Sequence, residues 1–205
     1  MKINTNAWNR FRYTLYAPFY DFFACFYNDS RKNSIESLEI KPGDKILIVG
    51  AGTGLDLKFL PSGCEIYATD ITPTVVRRIA RRNKKLNLNL QAIVMDGQAL
   101  EFTDNTFEKI ILHLILAVIP DPVACLKESE RVLKPGGQIV VYDKFVPKGK
   151  KVSLLRWLLN LFAKVLFTDL TRDFESIVKQ TTLKVISDKD ADFNGNFRLI
   201  KLIKM

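Results

Sequence analysis

Histidine is nearly missing from this 205-residue chain, which has one, His113. Cysteine is scarce too: Cys25, Cys64 and Cys125 are odd in number, far apart and without a CxxC pair. Zinc sites and disulfide frameworks need several such residues at short, repeated spacings, so neither organises this chain, and no metal is expected. The same cysteine usage fits a reducing compartment. No apolar run reaches the roughly 18 residues that span a bilayer. The opening "MKINTNAWNRFRYTLYAPF" is polar and basic throughout and does not read as a signal peptide. Internal repeats, low-complexity runs and linker-like stretches are absent as well, which leaves one domain with a sizeable core. Acidic residues are outnumbered, 22 against 31 Lys and Arg, and the net charge of +9 favours anionic partners.

Against those absences stands a regular alternation. "KILIV" (45–49), "EIYATD" (65–70), "LQAIVMD" (90–96), "FEKIILHLIL" (107–116) and "QIVVYDKF" (138–145) have the apolar, β-branched character of buried strands. Between them, "TPTVVRRIARRNKKL" (72–86) predicts a helix with Thr72 as N-cap and Pro73 in its first turn. "DPVACLKESERVL" (121–133) predicts another, with Asp121 as N-cap and Pro122 at N1, ending before the turn signal "KPGG". Strands alternating with helices imply right-handed crossovers and a parallel sheet covered on both faces. The tail "LKVISDKDADFNGNFRLIKLIKM" predicts two further strands joined at "NGN".

The chemistry-bearing signal is "ILIVGAGTGLDL", where Gly50, Gly52 and Gly54 follow a strand and precede an expected helix. Glycine lets the chain turn sharply and approach a ligand closely. Leu55 stands where the dinucleotide fingerprint has its last glycine, so the turn suits a smaller zwitterionic ligand lying across the strand ends. Asp70 ends the second strand, 20 residues after Gly50, where a carboxylate can accept from both ribose hydroxyls. Asp96 ends the third strand, where a carboxylate can accept from an exocyclic adenine amine.

The series "ILIVGAGTG", "ATD", "VMDGQAL" and "ERVLKPGGQIVV", over about residues 40–145, resembles the class I S-adenosylmethionine-dependent methyltransferases. That resemblance implies an α/β, Rossmann-like fold: a seven-stranded, mostly parallel sheet of order 3-2-1-4-5-7-6 with an antiparallel last strand. It implies S-adenosylmethionine as cofactor and S-adenosylhomocysteine as product. Gly50, Ala51, Gly52 and Gly54 would contact the methionine part, Asp70 and Ile71 the ribose, and Asp96 and Gly97 the adenine, with His113 also at the cofactor. "YTLYAPFYDFF", "LAVIPDPVACLKESERVLKPGG" and "GNFRLIKL" look like the bacterial phosphatidylethanolamine N-methyltransferases, in which case Tyr20 would close over the cofactor. The quinone-biosynthesis C-methyltransferases share the "YD" opening and the "KPGG" turn. The expected organisation is an N-terminal helical cap (1–40), a cofactor-binding core (41–145), an amphipathic lid helix (150–176) and a C-terminal hairpin (182–205).

Methyl transfer to a lipid amine needs its proton removed, and two residues are candidates for that base. His113 sits at or near the end of the fourth strand with an ordinary pKa suited to the task. Asp143 ends the fifth strand in "VVYDKF". Each also has a plain alternative, packing for His113 and capping or pairing with Lys144 for Asp143. The region "HLILAVIPDP" lacks the Asn- or Asp-Pro-Pro-aromatic motif of amino-directed DNA enzymes, and nothing else would read bases, so nucleic acid is not the expected partner. "SLLRWLLNLFAKVLF" (153–167) has eleven apolar residues in fifteen, and its apolar face is wider than core burial needs. With "PFYDFFACFY" (18–27) and "RRIARRNKK" (77–85), it suggests reversible contact with an anionic membrane and a peripheral location on the cytoplasmic side. The ordinary alternative is a lid packed on the core. The expected activity is N-methylation of phosphatidylethanolamine. A C- or O-methyltransferase of a quinone-type or other apolar small molecule, and a non-catalytic cofactor-binding membrane adaptor, are the alternatives. The sequence leaves the oligomeric state open.

Overall fold

The computed structural model describes residues 4–24, 27–150, 152, 157–158, 160, 163, 168–192 and 195–205, with backbone alone for 17–24. Two helices, α1 (Asn6–Ala24) and α2 (Asn28–Glu36), precede the first strand, β1 (Lys45–Val49). Then follow β2 (Glu65–Asp70), α3 (Pro73–Leu86), β3 (Leu90–Val94), β4 (Phe107–His113), α4 (Pro122–Val132) and β5 (Leu133–Lys144). A short helix α5 (Phe174–Val178) leads to the hairpin β6 (Lys184–Asp190) and β7 (Phe197–Ile203). The seven strands form one sheet of order β3-β2-β1-β4-β5-β7-β6. β7 alone runs antiparallel to its neighbours β5 and β6. This is the sheet that the resemblance implied.

β1 lies inside the sheet, paired in parallel with β2 and β4, and its alternation feeds two cores. Leu47 and Val49 pack on one face with Ile110, Leu112, Val141 and α4 residues such as Leu126. Ile46 and Ile48 pack on the other with Ile66, Ile111, Ile79 of α3 and Ile35 of α2. Each such side chain contributes roughly 1.5–3 kcal/mol when fully buried. The rigid sheet this produces fixes the carboxyl ends of β1, β2, β3 and β4 side by side, where α/β sheets bind their ligands.

Three local expectations change. The segment after "GAGTG" is a five-residue 3-10 turn, Leu55–Phe59, in place of a helix. Leu60 precedes Pro61 and is extended, and the residue before a proline is disfavoured in the α region, so the turn cannot propagate. Thr72 occupies the N-cap position of α3 without a side-chain cap bond, and its N–H donates instead to Asp70 Oδ1 at 2.8 Å. "KPGG" lies inside β5, as an irregular entry where the β4–β5 register shifts between Phe107 and Lys109. Asp121 does cap α4, accepting from Ala124 N at 2.9 Å. Phe193, Asn194 of the "NGN" turn, and most of the apolar stretch 153–167 lie outside the described residues.

Arg198 of β7, 1% exposed, ties the hairpin to α5. Its Nη2 stands 2.6 Å from both Glu175 Oε1 and Asp188 Oδ2. Removing one member of such a buried network strands the others, at roughly 3–5 kcal/mol. Arg198→Ala is therefore expected to lower unfolding stability by about 3 kcal/mol or more in urea titrations, while a loss under 1 kcal/mol would contradict this reading.

Candidate functional site: a cleft at the strand ends

Above the carboxyl ends of the central strands lie two adjoining hollows that share Tyr13, Gly50, Asp70, Ile115 and Val118. The first is floored by the glycine turn, Gly50, Ala51, Gly52 and Thr53, and walled by Arg31, Val75, His113 and Leu114. The second is lined by Ile71, Asp96 and Gly97 on the sheet side and by Asn6 and Asn9 of α1 on the other.

The glycines divide the work. A Cβ on Gly50 would lie 2.5 Å from Ile115 Cδ1, so this position must be bare for the turn after β4 to approach. A Cβ on Gly52 would meet nothing within 4 Å and project into open space, which is what a ligand-facing glycine requires. Gly54 is not in the cleft wall; with φ +79° it supplies the left-handed residue that starts the 3-10 turn.

Asp70 closes the glycine turn from β2. Its Oδ2 accepts from Gly52 N at 3.1 Å and its Oδ1 from Thr72 N at 2.8 Å. Burial pushes the carboxyl up, with the two backbone amides holding it back. A carboxylate oxygen that accepts one bond keeps acceptor capacity, so Asp70 can also receive hydroxyl donors from the cleft. Asp96 accepts from Asn6 Nδ2 at 2.6 Å and from Gln98 Nε2 at 2.9 Å. Both donors are planar NH2 groups, the kind of donor that an exocyclic adenine amine also presents.

His113 lines the first hollow, but both ring nitrogens are engaged: Nδ1 stands 3.0 Å from Asp56 Oδ1 and Nε2 2.9 Å from Ser34 Oγ. Asp56 also accepts from Arg31 Nη1 at 2.7 Å. Burial alone would raise the Asp56 carboxyl, yet His113 and Arg31 outweigh it and hold the group far below the usual carboxylate range. The ring therefore serves as a strut between α2 and the glycine turn, with no nitrogen turned to a substrate. Asp143 is 1% exposed and spent elsewhere, its Oδ2 accepting from Ala117 N at 2.8 Å and its Oδ1 from Lys144 N. The structure does not bring it into the cleft wall. Tyr20 belongs to α1 by its backbone, and its side chain lies outside those described.

Sequence reasoning missed the α1 wall. Asn6, Asn9 and Tyr13 repeat at spacings of three and four, one helical face, so a polar stripe in the opening segment was the available signal. It also missed Arg31 and the turn after β4, where Leu114 takes φ +57°. Nothing local in "HLILAVIP" marks that conformation.

Residues 47–141 match the family model described as a methyltransferase domain. The 3-2-1-4-5-7-6 sheet is the class I methyltransferase fold, and the glycine turn and Asp70 lie within the matched segment 47–141, as does Asp96. The cofactor of this methyltransferase domain is S-adenosylmethionine. The residues fit that group: an open Gly52, a half-buried Asp70 for ribose hydroxyls and an amide-accepting Asp96 for adenine. The chain is similar to a demethylmenaquinone methyltransferase of Staphylococcus carnosus, 34% identical over 122 residues. That match covers 57% of this chain and 50% of the relative, so the chain spans about half the length of these relatives. It is also similar to the phosphatidylethanolamine N-methyltransferase of Cereibacter sphaeroides, 23% identical over 161 residues, 78% of this chain and 79% of the relative. Among solved structures, a geranyl diphosphate methyltransferase in complex with SAM superposes with a TM-score of 0.73 at 14% identity, over 87% of this chain and 85% of that one. The YcgJ protein of Bacillus subtilis gives 0.72 at 16% identity, over 86% and 98%. At these identities the structures speak for the fold.

Two measurements test the site. Because the Asp70 pKa is raised, S-adenosylhomocysteine affinity is expected to fall with decreasing pH already above the ordinary Asp value of about 3.9. Asp70→Asn should flatten that pH dependence and weaken binding about tenfold, near the 1.5 kcal/mol of a hydrogen bond to a charged group. An unchanged affinity would remove Asp70 from the ligand site. For Asp56 the sign is opposite. Its depressed pKa contributes stability above about pH 4 that is lost as pH falls toward the folded value. Asp56→Asn should therefore lower Tm most at neutral pH and least in acid, and a Tm loss that is the same at every pH would contradict the ion network.

Proposed function

We propose that the protein methylates the amine of a phosphatidylethanolamine, or of its partly methylated forms, at a membrane surface, using S-adenosylmethionine. The observation that carries this reading is the extent of similarity to the Cereibacter sphaeroides enzyme, which runs over nearly four fifths of both chains. The matches to the demethylmenaquinone enzymes stop at about half of each.

Surface chemistry supports the same reading. On α1, Phe11 and Leu15 are 63% and 61% exposed, one turn apart. Past β5, Trp157 and Leu158 are helical and about half exposed. α1 meets α3 at Thr14 and Thr74, and α3 turns Arg77, Arg81, Lys84 and Lys85 outward. Each basic residue near an anionic surface adds about 1 kcal/mol of attraction. No helix among the described residues is long and apolar enough to cross a membrane, so the contact proposed is interfacial.

The sulfonium carries its own activation, and the protein supplies alignment, worth roughly 7–11 kcal/mol when two groups are held in line. Asp70, Asp96 and the glycine turn would hold the cofactor; Tyr13, Ile115 and Val118 wall both hollows and exclude water. His113 and Asp143 are both committed to structural bonds. The amine must then enter as the free base, of which only about one part in a thousand exists near pH 7.4 for a pKa near 10.4.

A second reading rests on the 34% identity to demethylmenaquinone enzymes: carbon methylation of a quinone-type acceptor. S-Adenosylhomocysteine release separates the two. Liposomes of phosphatidylethanolamine with anionic lipid are expected to support turnover, rising close to tenfold per pH unit from 7 to 9, and Trp157→Ser should reduce it several-fold. Silence on liposomes with turnover on a demethylated quinone would replace the first reading by the second.

A further inference from the structure

Helix α1 is seated with polar side chains inward. Of its described side chains the two that are buried are Asn9 and Arg12, 4% and 2% exposed, whereas Phe11 and Leu15 face solvent. A helix is ordinarily held on a protein by an apolar stripe turned to the core, but here the buried places go to an amide and a guanidinium. The seat also encloses polar atoms that nothing answers. Asn4 Oδ1, just before the helix, Asn9 Oδ1, and Arg12 Nε and Nη1 have no hydrogen-bond partner among the described residues. Each such atom costs free energy that hydration would restore if the helix lifted.

The N-terminal end of α1 is tied down by amide bonds. Asn4 and Asn9 donate to Val118 O at 2.9 and 3.3 Å. Asn6 donates from Nδ2 to Asp96 Oδ2 at 2.6 Å, which bridges the two walls of the second hollow. Asp96 is the carboxylate fitted to the adenine amine, and it is full. A carboxylate has about four acceptor places. Gln98 takes three, its N and Nε2 reaching Oδ1 at 3.0 and 2.9 Å and its Nε2 reaching Oδ2 at 3.2 Å, and Asn6 takes the fourth. A new donor can enter only by displacing one of them. The Gln98 bonds come from two positions along the chain and are held by it; the Asn6 bond comes from across the hollow. An asparagine amide and an exocyclic amine are both planar NH2 donors, so they compete for one oxygen.

We propose that the first turn of α1 is a displaceable cap, with the Asn6 amide in the place of the adenine amine on Asp96, and that S-adenosylmethionine binds by lifting this turn from the cleft. Cap and cofactor then oppose each other: contacts that seat the turn weaken the cofactor, by the same factor by which the cofactor unseats the turn. Release is cheap because it hydrates Asn4 and Asn9 and opens the enclosure of Arg12. Tyr13, two turns beyond Asn6, can keep its place in the wall, since Thr14 next to it meets Thr74 of α3 at 3.3 Å. The inference concerns the cofactor alone and stands whichever acceptor is methylated.

The test is isothermal titration of S-adenosylhomocysteine into the wild type, Asn6→Ala and Asn4→Ala, with melting curves without ligand and at one saturating ligand concentration. Asn6→Ala removes the competing amide and should bind about three- to tenfold tighter than wild type, the range of one net hydrogen bond. Asn4→Ala leaves Asp96 and its partners untouched and loosens the cap from Val118; it should bind roughly two- to threefold tighter. Without ligand both variants should melt lower than wild type. With saturating ligand all three should melt alike, because the bound protein has already given up those contacts. Weaker binding by Asn6→Ala would overturn the proposal and make Asn6 a ligand contact. Unchanged affinities, with the same loss of melting temperature with and without ligand, would mean that α1 stays seated, and would overturn it too. Tighter binding by Asn6→Ala with no gain in Asn4→Ala would confine the exchange to one side chain and sink the cap.

Discussion

The Asp56 carboxylate holds the site together. It lies just past the glycine turn and receives Arg31 from α2 and His113 from the end of β4. All three are nearly inaccessible to water, so their attraction is little screened, and breaking one contact would strand a buried charge. Through this carboxylate the N-terminal cap, the glycine turn and the fourth strand keep one mutual geometry. His113 also reaches Ser34, which doubles the tie to α2. A residue type that catalysis often uses is here a structural link, and the same geometry makes it a first wall of the cleft.

A second set of ties shapes the opposite wall. The turn after β4 is held from three directions. Asn4 and Asn9 donate to Val118 O, Asp143 accepts from Ala117 N, and Arg172 donates to the carbonyls of Leu116 and Ile119. Asp169 N adds a bond to Ala117 O at 2.8 Å. Helix α1 and the segment entering α5 therefore both rest on the residues that line the cleft. Changes in either cover would be felt at Ile115 and Val118, which line the cleft.

Much of this was legible in the sequence because it follows from short-range rules. The runs at 45–49 and 65–70 are strands over those same residues, since β-branched stretches bounded by turns have few alternatives. Gly50, Gly52, Asp70, Asp96 and Gly97 come together because strand ends in a parallel sheet are neighbours. What depended on distant partners was not legible. The binding of His113 by Asp56 and Ser34 joins residues 57 and 79 positions away. The capping of the β4 turn by Asp143 spans 26 positions, and no spacing rule encodes it. The missing helix after "GAGTG" was readable in principle, since Leu60-Pro61 stops it, but the glycine fingerprint outweighed that signal.

The most direct test of the whole account is the structure of the protein crystallised with S-adenosylhomocysteine. The amino-acid end is expected over Gly52, the ribose hydroxyls on Asp70, and the adenine amine on Asp96 in exchange for the Asn6 amide. A ligand bound elsewhere, or one lying in the cleft with its adenine on the glycine turn, would contradict it.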